Sequence, residues 1–364
     1  MSKGLAMTLA DSASKITTSF DAHVPEGRLA MIRAWLYTVL GLIFAMVVVG
    51  GATRLTDSGL SITEWKPILG AIPPLNDADW QIAFDKYRLI PEYQEINKGM
   101  SLAEFQFIFW WEWGHRFLGR FIGLVFFIPA AVFWVLGWLP SQLKPRIAIL
   151  FVLGGLQGAV GWWMVASGLV DRVDVSQYRL ATHLSLACFL FAGVYWVALG
   201  LKHREAKGTA SVSKAGWALL VLVFVQIFAG ALVAGMDAGL AYNTWPLMDD
   251  RMVPDGLAVM EPFWLNSFEN AKAVQFNHRI IAYGLWVLVL VHALWMTRKA
   301  VAASVKTSAW LIFAAVTGQA LIGIATLLLA VPLDVALMHQ AGVLFVLMAL
   351  VWHLRQVEGS YNFI

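Results

Sequence analysis

The chain has 364 residues, of which 59% are hydrophobic and 13% charged, with a formal net charge of +3. Ordinary soluble domains are roughly 25% charged, so the composition excludes a water-soluble globular protein and points to a membrane. The basicity is too small to imply nucleic-acid binding, and a single cysteine, Cys188, excludes a disulfide within the chain.

Residues 1–32 are mixed in charge, lack a cleavable signal pattern, and are expected to form a cytoplasmic tail. Stretches long enough to cross ~30 Å of hydrocarbon then recur. They predict eight helices over 33–50, 115–138, 147–168, 181–201, 215–236, 275–296, 307–329 and 335–354. The second and sixth carry arginines at their starts and are expected to begin before their apolar cores. Cys188 falls in the middle of the fourth, as a small core or lipid-facing residue.

With the N-terminus inside, Lys and Arg gather in 1–33, 139–147, 202–214, 297–307 and 355–364. They include Lys3, Lys15, Lys144, Arg146, Lys202, Arg204, Lys214, Arg298 and Arg355. The opposite loop 330–334 has none, and 169–180 has only Arg172 and Arg179. Positive charge favours the cytoplasmic side, so both termini are expected there. Two long segments, 51–110 and 237–272, then lie outside and are expected to form short surface helices and caps.

The chain repeats itself once. Gly-Leu-x-x-x-x-Trp occurs at Gly59, Leu60 and Trp65 and again at Gly239, Leu240 and Trp245. His115–Arg116 is matched by His278–Arg279, Gln157/Gly161 by Gln319/Gly323, and His183 by His339. The order is kept while loop lengths drift. Each unit has four helices, so both copies enter the membrane from the same side and the repeat is parallel. The expected architecture is all-α, with eight transmembrane helices in two pseudo-symmetric four-helix bundles, 33–201 and 215–354. A cytoplasmic linker at 202–214 joins them, and 355–364 forms a cytoplasmic tail.

The repeated histidines open the second, fourth, sixth and eighth helices, all of which run inward, so their side chains belong to the external half of the membrane. Two histidines on facing helices can ligate one iron from opposite faces of a porphyrin, and a four-helix bundle offers a central slot. His115 pairs with His183, and His278 with His339. His23, His203, His292 and His353 have no such matches and are expected at surfaces or interfaces. Arg116 and Arg279 suit either heme propionates or lipid headgroups.

Glu112 precedes His115 by one helical turn, where Gln275 precedes His278. A carboxylate can relay protons or stabilise positive charge; an amide cannot titrate. The first half is therefore the candidate for chemistry, and the second for a structural or electron-transfer heme. Gly154, Gly155, Gly158, Gly161, Gly318 and Gly323 suit close approach of a helix or a flat cofactor. Gln157 and Gln319 need a partner at lipid depth. Asp57 and Asp237 read as matched, capped turns.

These motifs resemble the heme A synthase family of cytochrome c oxidase biogenesis. The resemblance rests on GGATRLTDSGLSITEWKP at 50–67, FIFWWEWGHRFLGR at 107–120, NTWPLM at 243–248, FNHRI at 276–280 and the two later histidines. It covers nearly all of 30–355, in the form of the alphaproteobacterial and mitochondrial branch. It implies oxidation of the C8 methyl group of heme O to a formyl group, giving heme A. It implies substrate heme between His115 and His183, heme b between His278 and His339, and a catalytic role for Glu112. Functional coupling to heme O synthase, an unidentified electron acceptor and residence in a bacterial inner membrane or its mitochondrial counterpart follow from it. The oligomeric state, a homo-oligomer included, is left open. Some bacterial members carry a cysteine pair in the first external loop; this chain has none there. The rival functions are a di-heme electron carrier between quinol and an external acceptor, or a heme transporter or chaperone.

Overall fold

The computed structural model describes residues 24–361; Lys3, Lys15 and His23 lie outside the described residues. Among the described residues there is no β-strand beyond an isolated bridge between Met248 and Arg251. Eight helices are long and apolar enough to cross a membrane. They are α1 (Glu26–Leu55), α2 (Leu102–Val135), α3 (Lys144–Val165), α4 (Gln177–Gly200), α5 (Ala210–Gly235), α6 (Ala271–Arg298), α7 (Ala303–Leu328) and α8 (Leu333–Glu358). The protein is a multi-pass helical membrane protein.

α1 starts well before its expected position, and α2 begins ahead of its apolar core as expected, by more than three turns. α1 begins at Glu26 rather than 33. α2 begins at Leu102 rather than 115, because Ser101 and Glu104 form a capping box that satisfies the free N–H groups of its first turn. The segment joining α1 and α2 is thus 56–101, and His115 lies between three and four turns inside α2 rather than at its opening. His183, His278 and His339 lie about two turns inside α4, α6 and α8.

The protruding start of α2 carries an aromatic cap. Short helices Asp77–Tyr87 and Pro91–Glu95 pack Trp80, Phe84 and Tyr87 onto Phe105 and Phe109. Phe84 and Phe105 stack at 4.9 Å, and Trp80 meets Phe109 edge-on at 4.9 Å. Asn76 caps the first of these helices by accepting from the Asp79 N–H at 2.9 Å. The segment joining α5 and α6 builds only 3₁₀ turns and the short helix Asn266–Glu269, so the cap belongs to one half alone.

Within each half the four helices close a ring. α1 packs on α2, α2 on α3, α3 on α4 and α4 on α1; α5 to α8 repeat the pattern. The diagonal pairs, α2 with α4 and α6 with α8, are not among the closely packed pairs. The rings share a seam where α4 meets α5 and α8, and α1 meets α8. Leu36, Val39, Cys188, Phe191, Val223, Leu347 and Leu350 belong to the apolar core there, which places Cys188 in the core rather than toward lipid. At the end of the molecule that bears the C-terminus, Ser360 donates to the Arg204 carbonyl at 3.0 Å and Arg146 lies over the Tyr361 ring at 4.1 Å.

Pro129 interrupts α2. Its missing N–H releases the Val125 carbonyl, which would be costly at lipid depth. Trp35 of α1 donates its indole N–H to that carbonyl at 2.8 Å. The freed carbonyl is thereby tied to the neighbouring helix.

Candidate paired-histidine sites

The four repeated histidines sit on the diagonal helices of the two rings. His115 is within electrostatic reach of His183, and His278 of His339. All four keep part of their surface accessible. Each ring lies against a glycine of the preceding helix. A methyl group on Gly50 would come within 2.9 Å of His115, on Gly161 within 2.8 Å of His183, on Gly230 within 2.8 Å of His278, and on Gly323 within 2.6 Å of His339. Only glycine leaves room for the imidazole there. By contrast Gly154, Gly155, Gly158 and Gly318 have nothing within 4 Å of an added methyl, so close helix contact does not explain them.

Three of the four histidines share a second partner. Gln157, Gln226 and Gln319 stand one turn before the facing glycine, and each donates to its histidine's main-chain carbonyl, at 3.0, 3.1 and 2.8 Å. The same amide nitrogens lie 3.4 Å from His183 Nε2, 3.0 Å from His278 Nδ1 and 3.1 Å from His339 Nδ1. The Oε1 atoms of all three glutamines are buried without a partner, as is His183 Nδ1. The partner required of Gln157 and Gln319 is thus the histidine itself. Gln226 and Gly230 escaped the sequence comparison, although Gln-x-x-x-Gly recurs in α5 as in α3 and α7.

This donor set fits a metalloporphyrin. Among the described residues no three His, Cys, Asp or Glu side chains gather as a bare ion would require. A porphyrin brings four nitrogens of its own and needs only two axial ligands from opposite sides. Such a histidine must also donate its other ring N–H, and the unpartnered glutamine oxygens are suited to receive it.

Glu112 and Arg116 do not face outward. Glu112 is 2% exposed. Its Oε2 accepts from Ser61 Oγ at 2.7 Å and the Ile62 N–H at 2.6 Å, while Oε1 accepts from Arg116 Nη2 at 2.6 Å and Nε at 3.0 Å. Arg116 also donates to the Ile62 and Glu64 carbonyls at 2.7 and 3.1 Å. In the second half Gln275 donates to the Ala238 and Tyr242 carbonyls at 3.0 and 3.2 Å. Arg279 donates to Tyr242 and Thr244, each at 2.9 Å, and to Gln275 Oε1 at 3.2 Å. Both repeated loops, Gly59–Trp65 and Gly239–Trp245, are therefore pinned by the residues flanking a histidine. Spare buried donors remain on Arg279 Nε and Arg120 Nη1.

His292 and His353 depart from expectation. They are 5% and 0% exposed, and their Nε2 atoms meet at 3.1 Å. His353 Nδ1 lies 2.7 Å from Ser308 Oγ. Each follows a paired histidine of its own helix by nearly four turns, which turns both toward the bundle interior. His203 is exposed. A separate cavity of about 490 Å³, lined by Glu95, Asp171, Asp174, Gln177, Asp237 and Glu269, is acidic and does not include the histidines.

Fold and site define a class: a polytopic helical membrane protein with two paired-histidine sites, one in each of two repeated bundles. The chain belongs to the cytochrome oxidase assembly protein family COX15-CtaA, whose model matches residues 33–351. It is 56% identical over 334 residues to a heme A synthase of Chelativorans sp., covering 91% of this chain and 92% of that one. The heme A synthase of Mesorhizobium japonicum is 52% identical, covering 91% and 92%. That of Allorhizobium ampelinum is 49% identical over 357 residues, 98% of each chain.

Proposed function

We propose that this chain makes heme A from heme O, holding the substrate heme between His115 and His183 and a heme b between His278 and His339. The observation that carries the reading is the pair of matched diagonal histidine sites set in unequal surroundings, Glu112 beside one and Gln275 beside the other.

Converting the C8 methyl group to a formyl group removes four electrons and four protons and takes one oxygen atom, supplied by water. The electrons go to an external acceptor; bound heme b supplies one-electron transfer toward it. The protein's own groups fix the geometry. Histidines on opposite helices hold the substrate iron, and the apolar bundle walls keep bulk water away. The Glu112 carboxylate, held by Arg116, lies one turn from His115, where the Glu112–Arg116 pair would favour an electron-deficient substrate over the ground state through the orientation of its dipole. Arg116 holds that carboxylate and the Ile62–Glu64 backbone over the outer end of the bundle. Propionates extending outward would meet the spare donors of Arg120 and Arg279.

Heme O carries a farnesyl tail and resides in the membrane, so a heme O synthase is the proposed supplier. The proposed location is the bacterial inner membrane, with both termini cytoplasmic and segments 56–101 and 236–270 in the periplasm. Pyridine hemochrome analysis of protein loaded with heme O should approach two hemes per chain, and the extracted hemes should include heme A. Two stable hemes with no oxidation of heme O, under a suitable acceptor, would reassign the chain to electron transfer.

A further inference from the structure

The fourfold His–Gly arrangement is broken at one place. α3, α5 and α7 each present a glutamine one turn before the glycine that faces a histidine; α1 presents Met46 before Gly50. The consequence is visible at the ring. Among the described residues His115 has no hydrogen-bonding partner for its imidazole, whereas His183, His278 and His339 each have a glutamine amide within 3.0–3.4 Å of a ring nitrogen. The Met46 methyl points instead toward Gly119, 3.0 Å from where a side chain would begin.

An imidazole that binds iron through one nitrogen carries its proton on the other. An acceptor for that N–H fixes the ring plane, selects the tautomer and makes the ligand more basic. Each glutamine holds its histidine's main-chain carbonyl through the amide nitrogen, which also lies nearest the ring, and the buried, unpartnered Oε1 is the acceptor that a turn of the amide would bring to the ring N–H. A thioether is a weak acceptor and cannot do the same.

We infer that Met46 makes His115 the releasable axial ligand, so that the porphyrin of the N-terminal bundle exchanges through the His115 side while the C-terminal porphyrin is held from both sides by glutamine-supported histidines. Gln157, Gln226 and Gln319 are positioning residues, acting through the ring they face, and Met46 stands where α1 lacks that group. This inference rests on the assignment of the His115–His183 pair to the substrate. It gives a physical reason why one of two similar sites turns over its heme and the other keeps it.

The test uses the full-length protein loaded with two hemes, reduced with dithionite and exposed to carbon monoxide, a probe that binds iron only where an axial ligand leaves. The unaltered protein should bind carbon monoxide at one heme, and transfer that same heme to apomyoglobin. Met46→Gln should slow both processes by roughly tenfold, the low end of what such partners contribute, while Met46→Leu should not. Gln319→Met should open the second heme to carbon monoxide. The electron paramagnetic resonance signature of the N-terminal heme should move toward that of the C-terminal heme in Met46→Gln alone. Equal carbon monoxide access to both hemes in the unaltered protein, or unchanged rates in Met46→Gln with normal heme content, would overturn the inference. A protein that never holds two hemes would instead overturn the functional assignment beneath it.

Discussion

Arg54, near the end of α1, donates to Asp237 Oδ1 at 2.9 Å and to the Ala234 carbonyl at 3.1 Å, just beyond and within the end of α5. Ala234 occupies the place in the second half that Arg54 occupies in the first, and Asp237 matches Asp57. Both aspartates adopt left-handed backbone, with φ of 49° and 47°. A residue present in one copy thus binds the unmatched copy and ties the outer ends of the two halves together.

Arg54→Ala should lower the stability of the detergent-solubilised protein by about 1–2 kcal/mol, since it removes a half-buried donor from two acceptors across the seam. Asp237→Asn should cost less, about 1 kcal/mol or below, because the carboxylate is half exposed and screened. Thermal unfolding of both variants measures this. A larger loss in Asp237→Asn would show that the ion pair alone carries the tie.

Glu112→Gln is expected to do two things. Every partner of the carboxylate is a donor, so the amide nitrogen must confront Ser61, Ile62 or Arg116. The Gly59–Trp65 loop should loosen, seen as faster hydrogen exchange there, and heme O conversion should fall by at least about tenfold. The C-terminal heme should remain. Full heme A production by this variant would remove the carboxylate from the chemistry and leave it as a loop anchor.

Gly323→Ala and Gly318→Ala form a controlled pair. The first pushes a methyl to within 2.6 Å of the His339 ring; the second meets nothing within 4 Å. Heme content should fall toward one per chain in the first and stay at two in the second. Equal heme content in the two variants would contradict the tight seating of His339.

The aromatic cap on α2 should be sensitive to alkali. Glu92 is 5% exposed with an unpartnered oxygen, and burial, reinforced by Glu112 and Asp57, pushes its carboxyl up to about 8. Between an ordinary value near 4.5 and about 8, the folded carboxyl keeps a proton that the unfolded chain has lost. Stability therefore declines as pH rises through that window. Glu92→Gln should flatten the difference in melting temperature between pH 6 and pH 9. An unchanged difference would place the effect on other groups.

Much of this was legible beforehand. Hydropathy marks all eight spans, and the two histidine pairs follow from matched positions in a parallel repeat. The early start of α2 was signalled by Ser101 and Glu104, but the run of aromatic residues that follows also suits a membrane interface, which masked the helix. Gln226 was hidden because the repeat compares half with half, whereas the glutamine motif repeats helix by helix. The burial of His292 and His353 was implied by their spacing from His278 and His339. What no pattern supplied was the partnering of Glu112 with Ser61 and Ile62, since a loop's path is set by the hydrogen bonds it finally makes.

The His292–His353 contact gives one bundle a floor. Its two imidazoles and Ser308 put a polar, hydrogen-bonded layer across the C-terminal bundle nearly four turns beyond His278 and His339. The residues equally spaced below His115 and His183 are Pro129 and Val197, neither of which carries a polar side chain. A hydrocarbon chain trailing from a porphyrin would meet no such imidazole pair at the matched depth of the N-terminal bundle. In the C-terminal bundle the same chain would have to bury itself against imidazoles, at the cost of their hydrogen bonds. On the proposed assignment of the two sites, depth as well as ligation would sort the tailed porphyrin from the tailless one.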